Sequence, residues 1–156
     1  MTDYDLTLMR LTTSLTQVAR AYKASADKMT GDFDLSHASA WPVLMIGRLG
    51  DGVRPGTVAD ALGLEPPSLV RIIDQLIDSG LVERHEDMHD RRAKTLHLTA
   101  KGKQCASALE EALIPFRRAL FVNMEKTDVE ASVRVLEGLH VALTGSEVAF
   151  GTRKIS

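Results

Sequence analysis

The chain has 156 residues, 44% of them hydrophobic and 26% charged, with a formal net charge of −2. That length suits one domain with a real core, and no apolar run reaches the roughly 18 residues a membrane helix needs, so a cytoplasmic protein is expected. The slight acidity argues against a protein that coats nucleic acid indiscriminately, and leaves room for a local basic footprint.

Met1-Thr2-Asp3-Tyr4-Asp5 lacks the basic start of a signal peptide. Leu8, Leu11, Leu15, Val18 and Tyr22 then recur at steps of three and four, which predicts one long amphipathic helix over about Leu6 to Met29. After a break at Thr30-Gly31-Asp32-Phe33-Asp34, Ser36 is a plausible cap for a second helix to about Leu49. Pro42 lies beyond that helix's first turn, where it removes a hydrogen bond, so a local distortion beside Trp41 is expected. Gly50-Asp51-Gly52 reads as a turn. Arg54 is a poor helix cap, and Pro55 to Gly63 reads as a short helix opened by proline and closed by glycine.

Leu69, Ile72, Ile73, Leu76 and Ile77 give the next helix, Pro66 to Ser79, its buried stripe. Ser68, Arg71 and Gln75 are left together on the outward face, where they can read base edges. Gly80 stops the helix; Leu81 and Val82 lead into a strand, a polar loop follows, and Thr95 to Thr99 alternates as the return strand. With the preceding short helix this is a bihelical unit followed by a hairpin. Ala100 to about Lys126 is a further helix with a bend at Pro115. Asp128 to Leu143 is the last, opened by Thr127 or Asp128 and stopped at Gly145; the tail from Ser146 to Ser156 shows no periodicity.

The order Ser68-Leu69-Val70-Arg71-Ile72-Ile73-Asp74-Gln75-Leu76, Ser79-Gly80-Leu81-Val82-Glu83-Arg84, Asp90-x-Arg92-x5-Leu98-Thr99 resembles the recognition helix and wing of the MarR family. Pro67-Ser68-Leu69-Val70-Arg71 and Asp90-Arg91-Arg92-Ala93-Lys94 are most similar to its SlyA-like branch. The resemblance spans roughly Leu6 to Leu143. It implies a mainly α fold with a small β wing: a single domain over 1–156, with a winged helix-turn-helix lobe at about 36–99 and long terminal helices at about 5–30 and 100–145 that form a homodimer. Those helices carry apolar stripes that must be buried somewhere, and a two-fold reader gains affinity from two recognition helices one DNA turn apart.

The site expected for double-stranded DNA comprises Pro67, Ser68, Arg71, Gln75, Asp90, Arg91, Arg92 and Lys94. Arg91 and Arg92 at the wing tip suit a narrow minor groove, and the resemblance makes Asp90 a brace for a neighbouring arginine. From Glu83 to Lys103 six basic residues face four acids, an excess of +2. The resemblance further implies an aromatic or anionic effector, for which Tyr22, His37, Trp41, Met45 and Arg48 are the candidate lining. Repressor and anti-silencer roles both fit this reading.

His85-Glu86-Asp87-Met88-His89 matches the H-E-x-x-H zinc-protease pattern, which works only where both histidines lie on one helical face; here the segment is a strand running into a loop. A zinc hydrolase is therefore set aside, and a metal-responsive regulator or a winged-helix protein-interaction module stand as alternatives. Cys105 is the only cysteine, so no intramolecular disulfide forms, and it reads as a small buried apolar residue. No nucleophile with a base at informative spacing appears, and neither a catalytic site nor a cofactor or metal is expected.

Overall fold

A computed structural model of the chain describes residues 1–33, 35 and 37–148, the side chains of Asp32, His37 and Ala38 excepted. Among the described residues, six helices and one hairpin follow in the order α1 (Asp3–Thr30), α2 (His37–Leu49), α3 (Pro55–Leu62), α4 (Pro66–Asp78), β1 (Val82–Glu86), β2 (Lys94–Leu98), α5 (Ala100–Leu120) and α6 (Lys126–Thr144). A single 3-10 turn, Gly31–Phe33, closes α1. Among the described residues no helix is long and apolar enough to cross a membrane.

Helix α1 starts three residues before the first apolar position because Thr2 and Asp5 form a reciprocal capping box. Thr2 Oγ1 accepts from the Asp5 amide at 3.1 Å and Asp5 Oδ2 accepts from the Thr2 amide at 2.7 Å. Ser36, the expected cap of α2, lies outside the described residues. Helix α2 runs without interruption through Pro42, which is fully buried, and α5 likewise runs through Pro115. Both prolines cost a backbone hydrogen bond without ending the helix.

The turns at Gly63 and Gly80 fix the lobe. After α4 the Gly80 amide donates to Ile77 O at 2.9 Å and the Leu81 amide to Leu76 O at 2.9 Å, a Schellman closure in which Gly80 takes φ +72°. Gly63, at φ +64°, closes α3 in the same way and turns the chain into α4. Strands β1 and β2 pair antiparallel from Val82↔Leu98 to Glu86↔Lys94. Val53 adds a bridge to Leu96, so the α2–α3 connection is stitched to the back of the hairpin.

Two cores share α2. Val43 and Ile46 join Val58, Leu69, Ile73, Leu76, Val82, Leu96 and Leu98 beneath the winged helix. Ala40 and Leu44 join Ala26, Leu109 and Leu113 between α1, α2 and α5. Thr99 caps α5, its hydroxyl accepting from the Gly102 amide at 3.0 Å and donating to Gly80 O at 2.7 Å. Gly102 lies so close to Leu81 that a Cβ there would stand 2.0 Å from the Leu81 carbonyl oxygen.

Helix α5 ends at Leu120, six residues before the expected boundary, and a turn over residues 121–124 leads to α6 with Glu125 as its cap. The apolar pattern continues through Phe121, Val122 and Met124, which is why spacing alone overran the helix. These three side chains are exposed, as are Val133, Val135, Leu136, Val141 and Leu143 of α6, none of whose residues is buried.

Candidate functional site

Helix α4 buries Leu69, Ile73 and Leu76 and thereby turns Pro67, Ser68, Arg71 and Gln75 outward, all four exposed. Among the described residues nothing in the chain hydrogen-bonds the side chains of Ser68, Arg71 or Gln75. A row of unpartnered donors and acceptors on one face of a rigidly packed helix can exchange its water for base edges at little internal cost. Val70, 49% exposed on the flank of that row, is an apolar group that the search for polar readers passed over. Asp74, also on the exposed side, is neutralised by Arg84 of β1 at 2.8 Å.

Of the six basic residues from Glu83 to Lys103, four are engaged within the chain. Arg84 is held by Asp74, Lys94 Nζ lies 3.2 Å from Glu86 directly across the hairpin, and Lys103 Nζ lies 3.0 Å from Asp51. Lys101 donates to the Ser79 carbonyl at 3.2 Å. The guanidinium groups of Arg91 and Arg92 have no partner among the described residues, so the basic excess of the segment resides at the wing tip. Lys94, expected as a DNA contact in its own right, is half of a cross-strand pair.

Asp90 is expected to brace a neighbouring arginine. It accepts from the backbone amide of Arg92 at 3.0 Å, so the contact it makes with that arginine is to the main chain and not to the guanidinium. One residue that sequence reasoning missed is Asp87. Its Oδ1 accepts from the amides of His89 (2.8 Å) and Asp90 (3.3 Å), and its Oδ2 from Arg54 Nη2 (3.0 Å). The His89 amide and the Arg54 guanidinium hold the Asp87 carboxyl below the usual carboxylate range.

His85 and His89 do not meet on a helical face. His85 lies on β1 with Nε2 3.1 Å from Glu83 and its ring stacked on His97, centroids 4.3 Å apart, while His89 sits in the loop. Among the described residues no group of three or more potential ligands converges.

A cleft of about 1330 Å³ opens between the lobe and the long helices. Tyr22, Met45 and Arg48 line it, together with Glu110, Arg117 and His140. Arg48 grips Glu110 through both Nε and Nη2, and Arg117 adds Nη1 to the same carboxylate at 3.4 Å and Nε to the Tyr22 hydroxyl at 3.5 Å. Burial opposes ionisation of Glu110, but the two guanidinium groups outweigh it and its pKa is lowered. Trp41 does not reach the cleft: its indole faces α1, where Nε1 donates to Asp27 Oδ1 at 2.6 Å. The side chain of His37 lies outside the described residues. Glu110 and Arg117 were missed because their partners are 62 and 95 residues distant. Cys105 is half-buried at the seam of the two cores, where burial raises its thiol pKa, partly offset by Lys101.

A MarR family model matches residues 33–93, the stretch from α2 through β1 and the wing loop, with β2 beyond it. Among solved structures, transcriptional regulator PA3341 superposes with a TM-score of 0.80 at 28% identity, over 87% of this chain and 99% of that one. A MarR transcriptional regulator from Methanosarcina mazei Go1 gives a TM-score of 0.74 at 20% identity, over 87% and 99%. CouR from Rhodococcus jostii RHA1, whose structure holds p-coumaroyl-CoA, gives 0.69 at 22% identity, over 80% and 87%. The fold is that of MarR winged-helix structures, and over residues 33–93 the chain is similar to the MarR family.

Proposed function

We propose that this chain is a cytoplasmic, homodimeric regulator of the SlyA-like branch that reads a pseudo-palindromic operator as a repressor or anti-silencer. The observation that carries the reading is the row Ser68, Arg71, Gln75 on α4, without side-chain partners among the described residues, flanked by a wing whose Arg91 and Arg92 are likewise uncommitted among them. In it, Pro67 and that row meet the major groove, Arg91 and Arg92 enter the minor groove, Asp90 shapes the tip, and Lys94 leaves Glu86 for a phosphate. Residues 36–99 form the reading lobe, and 5–30 with 100–145 the dimer arm. The exposed apolar faces of α1 and α6 support the dimer, since a helix with such a stripe needs a second surface.

The cleft is the place for an effector. Two arginines and a tyrosine around one carboxylate form a seat for an aromatic anion, in keeping with the acyl-CoA bound by CouR. A ligand that prefers the dimer spacing unable to span both half-sites would release DNA, by no more than its difference in affinity for the two states.

Selection of bound fragments from random DNA tests the reading. The recovered sequences should contain two half-sites about 10 base pairs apart, centre to centre, or a multiple of that. In a salt titration on the selected duplex, Arg91→Ala should flatten the slope of log affinity against log salt by about 2 per dimer. Equal binding by wild type and variant at every salt concentration would remove Arg91 from the interface.

A further inference from the structure

We infer that Asp87, clamped by Arg54, is a positioning residue for the wing-tip arginines, an inference that rests on the proposed DNA-reading role of Arg91 and Arg92. Asp87 is the central residue of His85-Glu86-Asp87-Met88-His89, whose two histidines lie on a strand and in a loop and not on one helical face. Its side chain is 14% exposed where the residues around it stand in solvent.

The turn from Glu86 to Lys94 has no apolar anchor, so its shape depends on polar bonds. Asp87 gathers the amides of His89 and Asp90 on one oxygen, while its own amide donates to Ala93 O at 3.0 Å. Asp90 then takes the Arg92 amide at 3.0 Å, and the Ala93 amide returns to Asp90 O at 2.9 Å. Every bond of this set bears on the backbone that carries Arg91 and Arg92, and none engages their guanidinium groups.

Arg54 ties that turn to the body of the protein. It stands immediately before α3, where its side chain caps nothing and where a positive charge is disfavoured by the helix dipole. The Asp87 carboxylate, 33 positions along the chain, offsets that placement. Since α3 packs directly on α4, the clamp fixes the tip relative to the reading helix. The minor groove is only about 6 Å wide, so a tip displaced by a few ångströms no longer enters it in register with α4.

The test uses the full-length protein and the duplex selected by wild type, with affinity and hydroxyl-radical protection of the minor groove as readouts. Asp87→Ala should lose about tenfold in affinity together with the wing footprint, while major-groove protection by α4 persists. Arg54→Ala should lose about threefold, and Arg54→Lys should recover most of it. On an Arg91→Ala/Arg92→Ala background, Asp87→Ala should change affinity by less than about twofold, because its effect passes through arginines no longer present.

An intact wing footprint in both Asp87→Ala and Arg54→Ala would overturn the inference. So would an undiminished loss on the background lacking the tip arginines, which would show that Asp87 acts through general stability. Should Asp87→Ala fail to fold by its thermal melt, the same cycle with Arg54→Ala decides. If wild type selects no sequence and the tip variant binds like wild type, the DNA-reading proposal itself fails, and this inference with it.

Discussion

Between Leu35 and Leu98 the apolar side chains converge: Val43, Ile46, Val58, Leu69, Ile73, Leu76, Val82 and Leu96 all reach near-complete burial within one chain. The outer helices repeat the same spacing with a different result. Leu8, Leu11 and Val18 of α1, and Val133, Leu136 and Leu143 of α6, remain on the surface, Leu143 at 82% exposure. Periodicity thus states that a face needs covering, but the covering surface is a separate fact. The winged-helix lobe supplies its own, and the outer faces of α1 and α6 are left open.

The largest expected effect probes the lobe's self-sufficiency. Gly102→Ala places a methyl against the Leu81 carbonyl and must push α5 away from the Schellman turn that ends α4. A loss of about 3 to 5 kcal/mol is expected in chemical denaturation, within the range of severe backbone and core lesions. A change below about 0.5 kcal/mol would show that α5 and the wing are not rigidly joined.

Val133→Glu with Leu136→Glu addresses the other side of the comparison. Both positions are already exposed in the single chain, so hydrogen-exchange protection in β2 and α4 should persist, while sedimentation equilibrium should move from a two-chain to a one-chain mass. A dimer of undiminished affinity would mean that this part of α6 is not the covered face.

The smallest effect lies at the seam between the two regions. Glu110 has a lowered pKa in the folded chain, so its contribution to stability is present above the ordinary glutamate range and is lost as the pH falls through the folded value. Wild type should therefore lose more stability than Glu110→Gln on acidification below about pH 4.5. Parallel pH profiles for the two proteins would show that the Arg48 and Arg117 pairing adds nothing to stability.

The legible parts of the fold are those written in local chemistry. Pro55 and Pro66 in first turns, Gly63 and Gly80 as left-handed stops, and the alternation Thr95 to Thr99 set the lobe's elements to within a residue or two. The end of α5 was illegible, because Phe121, Val122 and Met124 continue an apolar pattern that belongs to an exposed face rather than to the helix. The outward row on α4 follows from its stripe, so Ser68, Arg71 and Gln75 could be named from spacing. Arg54 with Asp87, and Arg48 with Glu110, could not, since pairs 33 and 62 residues apart leave no periodic trace.

The carboxylate partners of Arg84, Lys94 and Lys103 have a further consequence for how such a lobe would behave on a long DNA molecule. Affinity for random duplex is almost wholly electrostatic, and a surface whose cations are already committed contributes little to it. Exposed ion pairs of this kind are worth only about 0.2 to 1 kcal/mol, so a phosphate held close by the seated α4 can displace the carboxylate, whereas one passing at a distance cannot. Positive charge here is conditional on fit. On the proposed reading, the protein leaves wrong sites quickly and gains grip only after docking, raising the ratio of cognate to random occupancy without raising absolute affinity.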